Sequence, residues 1–221
     1  MEDTDFDKAL ITAVFEQAGY RGWRHVSMVE AAGAAGLSLA RVRQRFPGRT
    51  AVLLRFGVLA DQAALAGGSA ETNPRERLFD MLMLRFDQLQ QHRAGMLALL
   101  GALRTDPGTA LLLYGVTLRS MRWLLDAAGV PAGGMLGGLR VHGLVALWMY
   151  ALRAWENDES ADLSGTMAAV DRGLDRAIQA ENMLPGRAVS PAEEAAQVFE
   201  AAEAAAVDPV PDAGAGEPIP G

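Results

Sequence analysis

The sequence predicts an all-α protein: an N-terminal three-helix helix-turn-helix head followed by a larger helical domain. Three observations predict it. Half of the 221 residues are hydrophobic but only 6% are aromatic, and Ala, Leu and Gly dominate while β-branched runs are scarce, a composition that favours helices. Cap residues recur at the starts of apolar-periodic stretches: Ser27, Ser38, Asn73-Pro74 and Asp106-Pro107. Finally, Gly36-Leu37-Ser38 joins two short helical patterns. A glycine there permits a tight turn, the leucine packs between the helices, and the serine is placed to cap the second.

The elements follow in order. Leu10, Ile11, Val14 and Phe15 share one face of a helix over 7–18, with Gly19 as its terminator. Gly22-Trp23 belongs to a turn. Ser27 opens a helix ending near Ala35, and Ser38 opens one that stops at Phe46-Pro47-Gly48. A fourth helix runs from about Thr50 to Leu65. Gly67, Gly68, Ser69 and Asn73-Pro74 then mark a break. Domains are expected at 1–66, 67–186 and 187–221. Helices are expected over 74–91, 93–104, 107–128, 135–155 and from the acidic turn 157–160 to about Ala180. Ser190-Pro191-x-Glu193 has capping-box spacing and starts a short acidic helix; past Asp208 the chain is Pro, Gly and acid, the composition of disorder.

The net charge of −7 hides an asymmetry. From Tyr20 to Phe56 seven arginines face one acid, giving +6, while from Ala188 to Gly221 there are seven acids and no base, giving −7. The acidic balance therefore leaves room for an anionic partner at the head. There is no cysteine, so disulfides and thiolate metal sites are excluded. The acidic N-terminus lacks the apolar core of a signal peptide. The apolar runs 107–118 and 141–152 fall short of the roughly 20 residues that span a bilayer. A cytoplasmic protein without stable membrane insertion is expected.

Candidate chemistry is concentrated in the head. Arg41, Arg43 and Arg45 follow the Gly-Leu-Ser turn at i, i+2 and i+4, so Arg41 and Arg45 share a face and Arg43 points away. In a helix-turn-helix the second helix enters the major groove, where one face reads base edges and flanking arginines bind phosphate. Ser27 begins the preceding helix, where an amide end favours a phosphate or the serine acts as a plain cap. Farther on, Trp123, Met135, Trp148, Met149, Tyr150 and Trp155 gather around two apolar helices, as pocket lining, core or dimer seam. Arg122, Arg140, His142 and Arg153 are candidate polar handles there. His25, His92 and His142 share no metal-ligand spacing, and Glu156, Asp158, Glu159 and Asp162 read as a solvated connection. No catalytic constellation, phosphate loop or cofactor motif is present.

The head resembles that of the TetR family of one-component regulators over about residues 7–180, most specifically over 9–56. Val14-Phe15-Glu16-Gln17-Ala18-Gly19-Tyr20 matches the end of that family's first helix. Ala32-Gly33-Ala34-Ala35-Gly36-Leu37-Ser38 looks like its turn, and Arg43-Gln44-Arg45-Phe46-Pro47-Gly48-Arg49 is similar to the end of its recognition helix. Three departures stand out: Arg43 replaces an aromatic, Leu39-Ala40 replaces a small pair, and Arg21-Gly22-Trp23 looks inserted. The resemblance implies a homodimer on double-stranded DNA, a repressor released by a small apolar or lipid-like ligand. It implies DNA contacts from Ser27, Ser38, Leu39, Arg41, Val42, Arg43, Arg45 and Arg49. The body's ligand pocket would be lined by Tyr114, Met121, Trp123, Met135, Trp148 and Met149. Gly22-Trp23, Gly36-Leu37-Ser38 and Phe46-Pro47-Gly48 also resemble a lipid-binding accessory family of ubiquinone biosynthesis, whose head does not bind DNA. That is the alternative reading.

Overall fold

Helix starts follow the capping residues. Asn73 accepts from the Arg75 amide at 3.0 Å and Asp106 from the Thr109 amide at 3.1 Å. Each is followed by a proline in the first turn, where no amide hydrogen is missed. Ser27 accepts from the Glu30 amide at 3.4 Å. The computed structural model describes residues 2–67 and 73–183. Among these, nine α-helices and one 3-10 turn (Trp23–His25) account for the fold: α1 Asp3–Arg21, α2 Met28–Ala34, α3 Leu39–Arg45, α4 Arg49–Gly67, α5 Pro74–Gln90, α6 Arg93–Leu103, α7 Pro107–Ala127, α8 Gly134–Glu156 and α9 Ser164–Asn182. Met1–Gln179 is one compact unit; Ala180–Gly221, a second, is described only to residue 183. The expected capping box at Ser190 and the acidic tail lie outside the described residues.

The first helix differs from expectation. It runs through Gly19 and ends at Gly22, whose positive φ of 85° glycine adopts freely and other residues rarely do. Gly19 serves packing instead: a Cβ there would lie 3.0 Å from that of Ala94. Gly95 makes the same contact tighter, since a Cβ on it would collide with the backbone of Phe15. These two glycines let α1 and α6 lie against each other, so the head's first helix is also a wall of the body. Ser38 occupies the N-cap position of α3 but makes no side-chain capping bond. The turn itself is as read, with Gly36 at φ 64° and Leu37 buried.

One continuous apolar core joins all nine helices. At the junction of head and body, Phe15 stacks on His92 (5.3 Å between centroids) and meets Phe56 edge-on (5.1 Å) and Trp23 (5.9 Å). Burial holds the His92 imidazole below its ordinary pKa despite the nearby Glu16. In the body, Phe86 stacks on Trp148 at 4.5 Å. Arg85 of α5, almost wholly buried, pairs with Asp61 of α4 and lies over the Trp148 ring, while Ser120 of α7 donates to Asp61 at 2.5 Å.

The helix α9 starts from a corner more ordered than the expected solvated turn. Asp158 is buried, and Ser160 and the hydroxyl and amide of Thr166 all donate to it. These bonds hold its carboxyl at a pKa of about 2 against the cost of burial. By length and composition alone, α4 and α8 could cross a membrane, which the shorter apolar runs in the sequence did not suggest. In this fold each buries one face in the core instead.

Candidate nucleic-acid interface

The helix α3 presents two faces of different character. Its inner face is anchored by Val42, which is 1% exposed and belongs to the core; the sequence-based placement of Val42 among DNA contacts is corrected accordingly. Its outer face carries Leu39, Ala40, Arg43 and Gln44, all exposed. These sit at i, i+1, i+4 and i+5, a single helical stripe. Leu39 and Arg43 were expected on it. Ala40 and Gln44 were missed, although their spacing from those two residues places them there.

The two other arginines of α3 and Arg55 of α4 turn toward α1. Arg41 lies over the Phe6 ring, 4.2 Å from its centroid, and pairs with Asp3 at 2.6 Å. Arg45 grips Asp7 with two bonds of 2.5 and 2.8 Å and reaches Asp3 at 3.1 Å. Arg55 of α4 donates to the same Asp7 at 2.6 Å. Asp7 has no exposed surface. Burial alone would raise its pKa, but the bonds from Arg45 and Arg55 and their charges outweigh it and leave the carboxyl below its usual range. The bond from Arg41 likewise lowers Asp3, and donating to Asp7 raises Arg45. Arg41 and Arg45 therefore clamp α3 onto α1 rather than project from it.

The remaining candidates are more constrained than their sequence suggested. Arg49 donates to the carbonyl of Arg24 at 3.1 Å, and Arg24 in turn holds the carbonyl and hydroxyl of Thr105 at 2.9 and 2.6 Å. Among the described residues Arg43 reaches only the carbonyl of Pro47, at 3.3 Å. The Ser27 amide is already taken by Gln17 at 2.5 Å, and Gln17 in turn holds Glu30. Ser38 is exposed at the mouth of the turn. Counted from Glu2, the head to Phe56 carries eight bases and six acids. The net is +2, so the +6 counted from Tyr20 overstates the local field by leaving out α1.

No protein-family profile matches the sequence, and comparison with curated proteins finds no match. Solved structures do match. A regulator from Nitrosomonas europaea superposes with a TM-score of 0.67 at 19% identity, over 79% of this chain and 99% of that one. The fold is that of the TetR transcriptional regulators. A TetR regulator from a Rhodococcus species gives a TM-score of 0.56 at 18% identity, covering 80% and 98% of the two chains. One from Streptomyces coelicolor gives 0.53 at 19%, covering 89% and 99%.

Within this TetR fold the residues expected to line one pocket are not brought together. Met121 and Trp148 are core residues, at 0% and 6% exposure. Tyr114, Trp123, Met135 and Met149 lie on the outside, Met135 at 91%. The reason is helical geometry: Met121 and Trp123 are two residues apart and Trp148 and Met149 one, so each pair splits between faces. Two open grooves are present instead. One, of about 310 Å³, lies between α5 and the start of α9 and is lined by Phe79, Met83, Asp87, Gln90, Leu163 and Met167 among others. The other, of about 260 Å³, lies between α7 and α8 and includes the candidate handles Arg122 and His142.

Proposed function

We propose that the chain is a sequence-specific regulator of transcription that binds double-stranded DNA as a homodimer, acts as a repressor in the cytoplasm, and is released by a small ligand held in its body. The observation that carries the reading is the outer stripe of α3. Leu39, Ala40, Arg43 and Gln44 project together from a helix whose other side is fixed by Val42 and by the Asp7 clamp. A rigid helix presenting an amide, a guanidinium and two apolar groups is suited to the major groove. A glutamine pairs in bidentate fashion with adenine, apolar groups contact the thymine methyl, and an arginine takes guanine or phosphate. The stripe thus favours a site with A·T pairs at its centre of contact. The TetR fold supports the same reading by placing such a helix at one end of a helical body.

Dimerisation would use the exposed side of α8 and α9, where Leu139 and Ile178 are exposed; exposed apolar faces of this kind mark interaction surfaces. The test is selection of fragmented genomic DNA by the purified full chain at near-physiological salt, followed by sequencing. Enrichment of palindromic sites, with half-sites one helical turn apart, is the expected result. Binding without sequence preference that disappears on adding salt would refute specific recognition and return the lipid-binding accessory reading.

A further inference from the structure

We infer that the groove between α7 and α8 binds an anionic amphiphile, its carboxylate or phosphate head held by Arg119, Arg122 and His142 and its hydrocarbon chain laid along α7. The groove holds about 260 Å³ and is lined by Leu118, Arg119, Arg122, Gly138, Val141 and His142. It contains two arginines, one imidazole and no acid. Elsewhere in the compact unit five arginines on α3, α4 and α5 find carboxylates, since Arg41, Arg45, Arg55, Arg75 and Arg85 each pair with aspartate, while Arg43 and Arg49 donate to backbone carbonyls. Arg119 and Arg122 have no ion pair or hydrogen bond among the described residues. Two cations three residues apart on one helix repel each other, and the one acid of α7, Asp126, lies a turn beyond Arg122, where its carboxylate accepts from the Ala132 amide. A bound anion would offset it.

The imidazole is already oriented for the task. His142 Nδ1 lies 2.8 Å from the carbonyl of Gly138 and donates to it, which turns Nε2 away from the helix backbone; Nε2 donates to an anion when the ring carries both protons and otherwise accepts from a protonated head group. The floor is apolar, formed by Leu118 and Val141, and Gly138 leaves open space where a side chain would stand. Counting back along α7 from Arg122 and Leu118 by three, four and seven residues reaches Gly115, Tyr114 and Leu111. Leu111 and Tyr114 are 72% and 43% exposed, and a Cβ on Gly115 would meet nothing within 4 Å. No charged residue occurs from Pro107 to Leu118. The helix thus offers a cationic end and an uncharged track on one side, the complement of a molecule with an anionic head and an apolar tail.

The assignment does not rest on DNA binding, because binding is measured on the free protein. Calorimetric titration of the full chain with dodecanoate and with dodecyl phosphate, both below their micelle concentrations, tests it, with dodecanol and inorganic phosphate as the head-less and tail-less controls. Saturable 1:1 binding of at least one amphiphilic anion is expected, at least tenfold tighter than either control. The exposed double variant Arg119→Gln/Arg122→Gln should lose tenfold or more. Gly138→Leu, which fills open space in the groove, should block binding while the melting temperature holds. Dodecanol binding as tightly as dodecanoate would overturn the role of the arginines, and inorganic phosphate binding as tightly would overturn that of the tail. No binding of either amphiphile, or unchanged binding by both variants, would overturn the site itself. A double variant that dissociates a dimer but still binds dodecanoate would assign the two arginines to a second copy of the chain and likewise overturn it.

Discussion

Replacing Asp7 with asparagine tests the clamp that sets the orientation of α3. Asp7 is fully buried and accepts three bonds, two from Arg45 at 2.5 and 2.8 Å and one from Arg55 at 2.6 Å. Breaking a buried pair by removing one partner costs about 3–5 kcal/mol when both groups are enclosed. Here the arginine side chains are 33% and 27% exposed, so water re-solvates them in part. The expected loss is therefore about 2–3 kcal/mol. In a chain of this size each kcal/mol corresponds to about 2–4 °C in melting temperature. Asp7→Asn should thus melt about 4–12 °C below the wild type at pH 7, while Asp5→Asn, on the exposed side of α1, should melt with the wild type. The sign of the pH dependence follows from the lowered pKa of Asp7. A carboxyl held below its unfolded value of about 3.8 stabilises fully above that value, and the stabilisation fades as pH falls through the folded value. The gap between wild type and variant should accordingly close in acid. Thermal unfolding of Asp7→Asn within 1 °C of wild type at pH 7, or a gap that widens on acidification, would refute the argument that this carboxylate holds α3.

Three further outcomes follow from the same structure. Gly95→Ala forces a Cβ into the Phe15 backbone and should cost about 1–3 kcal/mol by overpacking, whereas Gly101→Ala, in open space on the same helix, should gain about 0.5–1 kcal/mol from helix propensity; urea denaturation of both separates packing from propensity. The buried His92 holds a pKa below its ordinary 6.5, so its neutral form favours the fold. Stability should then decline as pH drops below about 6.5 and level off below the folded value, a decline that His92→Gln should flatten in chemical denaturation across pH 5–7. Gln44→Ala should weaken binding to a selected DNA site by about 1–3 kcal/mol and relax base preference at one position per half-site; an unchanged site in a repeated selection would remove Gln44 from the readout.

Local signals in the chain were legible and remote ones were not. The starts at Asn73-Pro74 and Asp106-Pro107 could be read because a cap acts on amides two or three residues away. The Gly36-Leu37-Ser38 turn could be read for the same reason. Gly19 could not: a terminating glycine and a packing glycine are the same letter, and only the approach of Ala94 on α6 distinguishes them. The clamp was equally hidden. Arg41 and Arg45 share a face by periodicity, but Asp3 and Asp7 lie 38 residues earlier in sequence, and nothing local says that α1 crosses there. The scatter of the expected ligand residues was, by contrast, within reach. Positions 121 and 123 differ by about 200° around a helix, so one of them had to face outward.

The clamp also sets how the head meets a polyanion, and this can be measured without knowing the target sequence. Counterion release makes log K fall with log salt at a slope of about −0.9 per phosphate neutralised. With Arg41 and Arg45 paired to acids, each head has Arg43 and Arg49 as α3-proximal cations bonded only to backbone carbonyls. A homodimer would then neutralise about four phosphates, for a slope near −4. If DNA pulled Arg41 and Arg45 off Asp3 and Asp7, the count would rise to about eight and the slope to about −7. A shallow slope is the expected result, because opening the clamp strands a buried carboxylate while phosphate contact at the surface returns less. A slope near −7 would mean that the charges on α1 act as a competitor which DNA displaces, and that the outer stripe of α3 is not by itself the interface.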